Sequence, residues 1–203
     1  AETHLYYDAI EMLQSLKEQY PDAIIGAITN GKGNPLKMKQ TIQEFFDFCI
    51  SGEDDNVFPY RKPHKEIYLT TLDYYKNLDD DMQQGDGSED FCWVHVGDDL
   101  ANDVGASAKC GALAVWADLS EEYNQSASKR TSPEKGTNDV QTKDDSNKEQ
   151  EAQPFWSTAT KEELEKRKKL NDESLKFVSA KIERLNELPT AIKNITTKSI
   201  QSC

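Results

Sequence analysis

An α/β fold with a parallel sheet is predicted by three features of this 203-residue sequence. Residues 23–28, 91–96 and 112–117 are short continuous apolar runs, the pattern of strands buried on both faces. The segments between them carry apolar residues at helical spacing. Each run ends in a polar cluster, at Thr29-Asn30, Gly97-Asp98-Asp99 and Asp118. Strands alternating with helices build βαβ units and hence a parallel sheet. Ligands of such sheets bind beyond the carboxyl ends of the strands, so these clusters are where function is expected.

The elements follow in order. Leu5, Ala9, Ile10, Leu13 and Leu16 recur at helical spacing and predict an amphipathic helix over residues 3–19. The run 23–28 is the first strong strand, closed by Thr29-Asn30-Gly31. Residues 35–46 read as a helix, followed by a short strand at 48–51. Residues 65–76 form the next helix, with Ile67, Leu69 and Leu72 mostly on one side. The strand 91–96, a small-residue helix over 102–110 and the strand 112–117 complete a core spanning residues 1–119. Residues 120–160 are polar and charged with almost no large apolar side chains, so they cannot bury enough surface to offset chain entropy and are expected to be disordered. Residues 161–187 turn helix-like, although 161–172 are charged on most faces and predict only a transient helix. The charged insert is placed at 120–173 and the last core strand and helix at 174–203. Phe177, Val178, Ile182, Leu185, Leu188 and Ile192 are expected to pack on the sheet edge.

Composition limits the partners. Lys and Arg total 24 against 37 Asp and Glu, a net charge of −13, which argues against nucleic acid or an anionic membrane as main partner. No apolar run approaches the roughly 18 to 20 residues that span a bilayer. The four cysteines, Cys49, Cys92, Cys110 and Cys203, show no CxxC pairing, which suits free thiols in a reducing compartment and predicts a cytoplasmic location. The chain begins with Ala1 rather than Met and runs directly into a helical pattern, which reads as a processed or truncated piece.

Three places carry chemistry. Thr29 and Asn30 at a strand tip, with Gly31 and Gly33 allowing tight turns, can donate hydrogen bonds to a phosphate oxygen, although in isolation Thr-Asn-Gly reads first as an ordinary turn. Lys62 lies in Tyr60-Arg61-Lys62-Pro63-His64, where the proline shapes the loop entering a helix and holds an ammonium at its start. The alternative is a surface basic pair, and His64 reads as structural or exposed. Asp98, Asp99 and Asp103 crowd three carboxylates at a strand end, which a hard divalent cation such as Mg2+ would relieve. Helix capping accounts for one of these, or two.

Taken in order, these segments resemble the haloacid dehalogenase (HAD) superfamily of phosphohydrolases. Ala27-Ile28-Thr29-Asn30-Gly31 is similar to its second motif, Lys62-Pro63 followed by Ile67-Tyr68 to its third, and the stretch from Val96-Gly97-Asp98-Asp99 through Asp103 to its fourth. The resemblance covers residues 3–119 and about 176–196, with residues 183–192 similar to the last strand and helix. It implies a Rossmann-like, three-layer α/β/α core with a parallel sheet and Mg2+-dependent hydrolysis of a small phosphomonoester, such as a nucleotide like FMN or a sugar phosphate. It assigns Thr29, Asn30 and Lys62 to phosphate binding, with Lys62 also catalytic, and Asp98, Asp99 and Asp103 to Mg2+. Asp98 would bind directly, and Asp99 and Asp103 through water or by orienting Lys62. The family opens with a strand ending in D-x-D, whose first Asp is the nucleophile and whose second is the general acid and base. No such strand end occurs here, and neither does the helical cap usual between the first and second motifs. The expectation is a phosphatase whose nucleophile lies upstream, the chain alone being inactive. The competing class is a non-catalytic phosphate- or metal-binding scaffold. Dehalogenase chemistry is disfavoured because it has no need of the Mg2+ carboxylates.

Overall fold

A computed structural model describes residues 5–39, 41–82, 91–123 and 160–200. Five parallel strands are interleaved with helices: α1 (Ala9–Gln19), β1 (Gly26–Thr29), β2 (Phe48–Ser51), α2 (Lys65–Met82), β3 (Val94–Gly97), a π-helical turn (Leu100–Gly105) leading into α3 (Ala106–Ala108), β4 (Leu113–Ala117), α4 (Lys161–Ser174), β5 (Val178–Ile182) and α5 (Leu188–Ile200). The strands form two groups. β1 pairs with β2 in register Ala27↔Cys49 and Thr29↔Ser51. β3 pairs with β4 (Val96↔Val115), and β4 with β5 (Ala117↔Ile182), across an irregularity at Ala114/Val115.

Alternation along β3 separates the layers. Val94 and Val96 pack with Val115, Ala117, Ile182, Leu188 and Ile195, and with Met12 and Leu16 of α1, which puts α1 and α5 on one face. Trp93 packs with Ile67, Tyr68, Phe48 and Ile50, and His95 meets the Tyr68 ring edge-on, which puts α2 on the other. The α/β/α layering is therefore present, and burial of these apolar faces is its main support. Ile182, Leu185 and Leu188 are buried, with Ile192 packed against them.

Several expectations shift. Residues 35–46 are not a continuous helix but two 3-10 turns, Pro35–Lys37 and Gln43–Phe45. The backbone leaves helical geometry at Met38, and Ile42 and Phe45 bury against Leu13 from irregular backbone instead. The first helix begins at Ala9, α2 continues to Met82, and the turn after β3 begins at Leu100. Residues 161–187 are not all helical: α4 stops at Ser174 and a strand follows at Val178–Ile182, ahead of residues 183–192. Val178, Ala180 and Ile182 fit strand alternation, and 178, 182 and 185 fit helical spacing equally well; pairing with β4 decides between them. α4 itself is formed, opened by a capping box in which Thr160 and Glu163 exchange hydrogen bonds, and it packs on the Leu100–Gly105 turn. Residues 124–159, most of the segment expected to be disordered, lie outside the described residues.

Candidate functional site

The carboxyl ends of β1 and β3 and the loop before α2 meet at one place. At the end of β1, the Thr29 carbonyl accepts from the Gly52 N–H at 2.7 Å, and its hydroxyl oxygen accepts from the Gly31 N–H at 3.2 Å. That leaves the hydroxyl proton to donate. Asn30 does something the sequence did not suggest. Its side-chain amide donates to the Lys62 carbonyl at 3.0 Å, and its Oδ1 accepts from the Lys62 N–H at 2.7 Å. Asn30 is thus the strap that fastens the Lys62 loop to β1, with one amide N–H still to offer a ligand.

The ammonium of Lys62 reaches across to the other strand group and donates to Asp103 Oδ1 at 2.6 Å. Both side chains are largely buried. Asp103 Oδ2 accepts from the Asp99 N–H at 3.1 Å. His95 lies beneath, its Nε2 3.8 Å from Asp103 Oδ1, too far for a hydrogen bond. That nitrogen is buried and has no hydrogen-bond partner among the described residues. Burial raises the Asp103 carboxyl, but the neighbouring His95 and Lys62 outweigh it and hold the group at about 2. Of the alternatives for Asp103, the geometry is that of an anchor for Lys62.

Gly97 makes this arrangement possible. A Cβ there would fall 2.3 Å from Asp103 Cβ and 2.5 Å from Asp103 Oδ2, so only glycine lets the carboxylate lie over the end of β3.

Asp99 divides its oxygens. Oδ1 caps the following turn, accepting from the N–H groups of Ala101 at 3.1 Å and Asn102 at 2.8 Å. Oδ2 pairs with the Arg167 guanidinium of α4. Asp98 is different. Its backbone carbonyl accepts from Trp116 Nε1 at 3.2 Å, while its carboxyl is pushed above the ordinary range by burial and then by the charge of Asp103, with a smaller push from Asp99.

These residues are therefore brought together, although not all as ligands. Among the described residues no group of three His, Cys, Asp or Glu side chains is arranged to hold a metal ion. Lys62 takes one oxygen of Asp103, and a helix cap plus Arg167 takes the two oxygens of Asp99. Asp98 is one partly buried carboxylate, repelled by two others, whose charge a hard cation would relieve. His64 is exposed, its Nδ1 3.9 Å from Glu66. Sequence reasoning missed His95, hidden inside a strand, and Arg167, 68 residues from Asp99 in a run of charged residues. No local pattern pointed to either.

No protein-family model matches the chain. Two solved structures share its architecture: a 2-haloacid dehalogenase from Pseudomonas syringae pv. Tomato DC3000 (17% identical, TM-score 0.50, covering 94% of this chain and 54% of that one) and a HAD phosphatase from Thermococcus onnurineus (21% identical, TM-score 0.50, covering 93% and 58%). The fold is the one these two proteins share. The uncharacterized protein YMR130W of Saccharomyces cerevisiae is 25% identical over 122 residues, 59% of this chain and 40% of its own length. The chain thus spans between two fifths and three fifths of each protein it matches. Among the described residues no helix is long and apolar enough to cross a membrane.

Proposed function

We propose that the chain is the phosphate-binding part of a Mg2+-dependent HAD-like phosphohydrolase acting on a small phosphomonoester, such as a nucleotide like FMN or a sugar phosphate, in the cytoplasm. The observation that carries this is a buried ammonium, Lys62, held by Asp103 and by the Asn30 strap beside the Asp98 carboxyl, at the ends of parallel strands. Phosphoryl transfer asks a protein mainly for positioning and charge neutralisation, and these residues supply both. Lys62 pairs with the phosphate, and the Thr29 hydroxyl and the free Asn30 N–H donate to its oxygens. Asp103 keeps the ammonium in place without a rotamer search. Asp98 would hold Mg2+ with water and with groups outside the described residues, and the ion would add positive charge beside the phosphoryl oxygens.

The nucleophilic carboxylate, which would form an aspartyl-phosphate, and the acid that protonates the leaving oxygen come, in this reading, from a D-x-D strand upstream of residue 1. The sheet supports it. β1 pairs only with β2, and β3 only with β4, so among the described residues each keeps an unpaired edge. A parallel strand between them would join the two groups and bring its carboxyl end beside Thr29 and Asp98. The −13 charge leaves local attraction of the substrate to Lys62 and the cation, and no nucleic-acid or membrane partner is proposed.

A non-catalytic, phosphate-binding scaffold is the second reading, favoured by the commitment of Asp99 to Arg167. The test is turnover of p-nitrophenyl phosphate by the protein with its upstream segment present. Mg2+-dependent turnover that falls about a hundredfold or more in Lys62→Met, and loses its Mg2+ dependence in Asp98→Asn, supports the enzyme. Absence of turnover despite phosphate binding supports the scaffold, and unchanged kcat/KM in Lys62→Met refutes the site. Residues 1–203 alone should show no turnover, having no nucleophile at phosphorus.

A further inference from the structure

The helix preceding β5 reaches back to the carboxylate loop. Along α4, Arg167, Asn171 and Ser174 lie on one face by helical spacing, and each meets the segment from Asp99 to Gly105. Arg167 pairs with Asp99 Oδ2. The Asn171 Oδ1 accepts from the Ala101 N–H at 3.2 Å, the same N–H that caps onto Asp99 Oδ1. Ser174 is buried, its hydroxyl donates to the Leu170 carbonyl at 2.7 Å, and its Oγ sits 2.1 Å from where a Cβ on Gly105 would be. An isolated surface ion pair would mean little. Here two turns of helix are fitted to the loop, and the Asp99 end of the pair is largely buried.

We propose that α4 is a charge regulator of the site, with Arg167 serving as a built-in counter-cation to Asp99. Docked, the helix withholds Asp99 Oδ2 from any divalent cation, leaving Asp98 as the carboxylate that a cation meets, and it adds positive charge where a phosphate would bind. Undocked, the loop regains a free carboxylate oxygen and loses one positive charge. Cation affinity then rises and phosphate affinity falls. Arg167 is thus a positioning residue, acting through Asp99. The proposal rests on the phosphohydrolase reading, because it assumes that the loop meets both a cation and a phosphate.

The test is titration calorimetry on the full chain, with MgCl2 in one series and inorganic phosphate with EDTA in the other. A unit charge about 7 Å from a divalent ion, at a solvent-like effective permittivity of about 80, changes affinity by a factor of about seven. Arg167→Gln should raise Mg2+ affinity about threefold to tenfold and lower phosphate affinity by a similar factor. Arg167→Lys, which keeps the charge, should stay within about twofold of wild type for both. Asn171→Ala, which removes a loop contact without changing charge, should leave the ratio of the two affinities unaltered. Opposite signs in Arg167→Gln support the proposal, since a merely structural role would weaken both probes together. Changes of the same sign, or none, overturn it. A wild-type protein that binds neither probe with its upstream segment present refutes the phosphohydrolase reading, and the clamp is then read from amide hydrogen exchange. Faster exchange at Ala101 and Asn102 in Arg167→Gln upholds the clamp, and unchanged exchange overturns it.

Discussion

A methyl group on Gly97 would collide with the carboxylate that anchors Lys62. The Cβ of Gly97→Ala would stand 2.3 Å from Asp103 Cβ, 2.4 Å from its Cγ and 2.5 Å from its Oδ2. Ordinary contacts begin about 1 Å further out. Asp103 must therefore retreat by about that distance, which removes the 2.6 Å bond to Lys62 and the 3.1 Å bond from the Asp99 N–H. Overpacking alone costs about 1–3 kcal/mol, and leaving a buried ion without its partner costs about 3–5 kcal/mol. The two overlap, because retreat relieves the clash, so the expected loss is about 3–5 kcal/mol. The assay is urea unfolding at pH 7 in EDTA, repeated as the pH is lowered. The ordinary Asp103 value of 3.8 is depressed to about 2 in the folded protein. Its contribution, about 2 kcal/mol, is therefore fully present above about pH 5 and is lost as the pH falls toward 2. In Gly97→Ala that part of the acid dependence should shrink along with the stability. A loss under about 1 kcal/mol with the wild-type acid profile would refute the account of Gly97 and of the anchor.

Three further outcomes are expected. Tyr123→Phe should cost about 2–4 kcal/mol in urea unfolding, because the Tyr123 hydroxyl donates at 2.6 Å to Asp8 Oδ2, and the other oxygen of this buried carboxylate has no partner among the described residues. Gly105→Ala should cost about 1–3 kcal/mol by pushing Ser174 and α4 off the loop, and adding Ser174→Gly should recover part of the loss, measured as a double-mutant cycle. Replacing residues 126–157 by a Gly/Ser linker should change stability by less than about 1 kcal/mol, since loop entropy varies slowly with length. Extending the replacement through Ser174 should cost several times more by removing the α4 contacts, and equal effects of the two deletions would show that α4 adds nothing.

Much of the fold was legible in the sequence because strands packed between helices leave continuous apolar runs, although no residue of β1 is fully buried and β3 buries only His95. The runs around Ile28, Val94 and Val115 are apolar without alternation, and the glycine and carboxylate clusters after them mark strand ends. Of the candidate residues, Thr29 and Asp98 stand at those ends, whereas Lys62 is marked by the proline that follows it in the loop entering α2. Where local patterns allowed two readings, sequence could not choose. Val178, Ala180 and Ile182 suit a helix or a strand, and only the open edge of β4 made them a strand. Residues 35–46 have helical spacing, yet burying Ile42 and Phe45 against Leu13 required irregular backbone.

What the sequence by itself determined is an α/β chain with parallel strands, a charged insert, and an ammonium, a hydroxyl and carboxylates gathered at strand ends. Composition and periodicity carry that much because they record which side chains must leave water. What only the tertiary structure decided is how those polar groups divide their bonds. Asn30 straps the Lys62 loop, Asp103 anchors the ammonium, and Asp99 is shared between a helix cap and Arg167. A carboxylate has a limited set of acceptor positions, and which donors reach them depends on segments 30 to 70 residues apart being folded into contact, which no local spacing encodes.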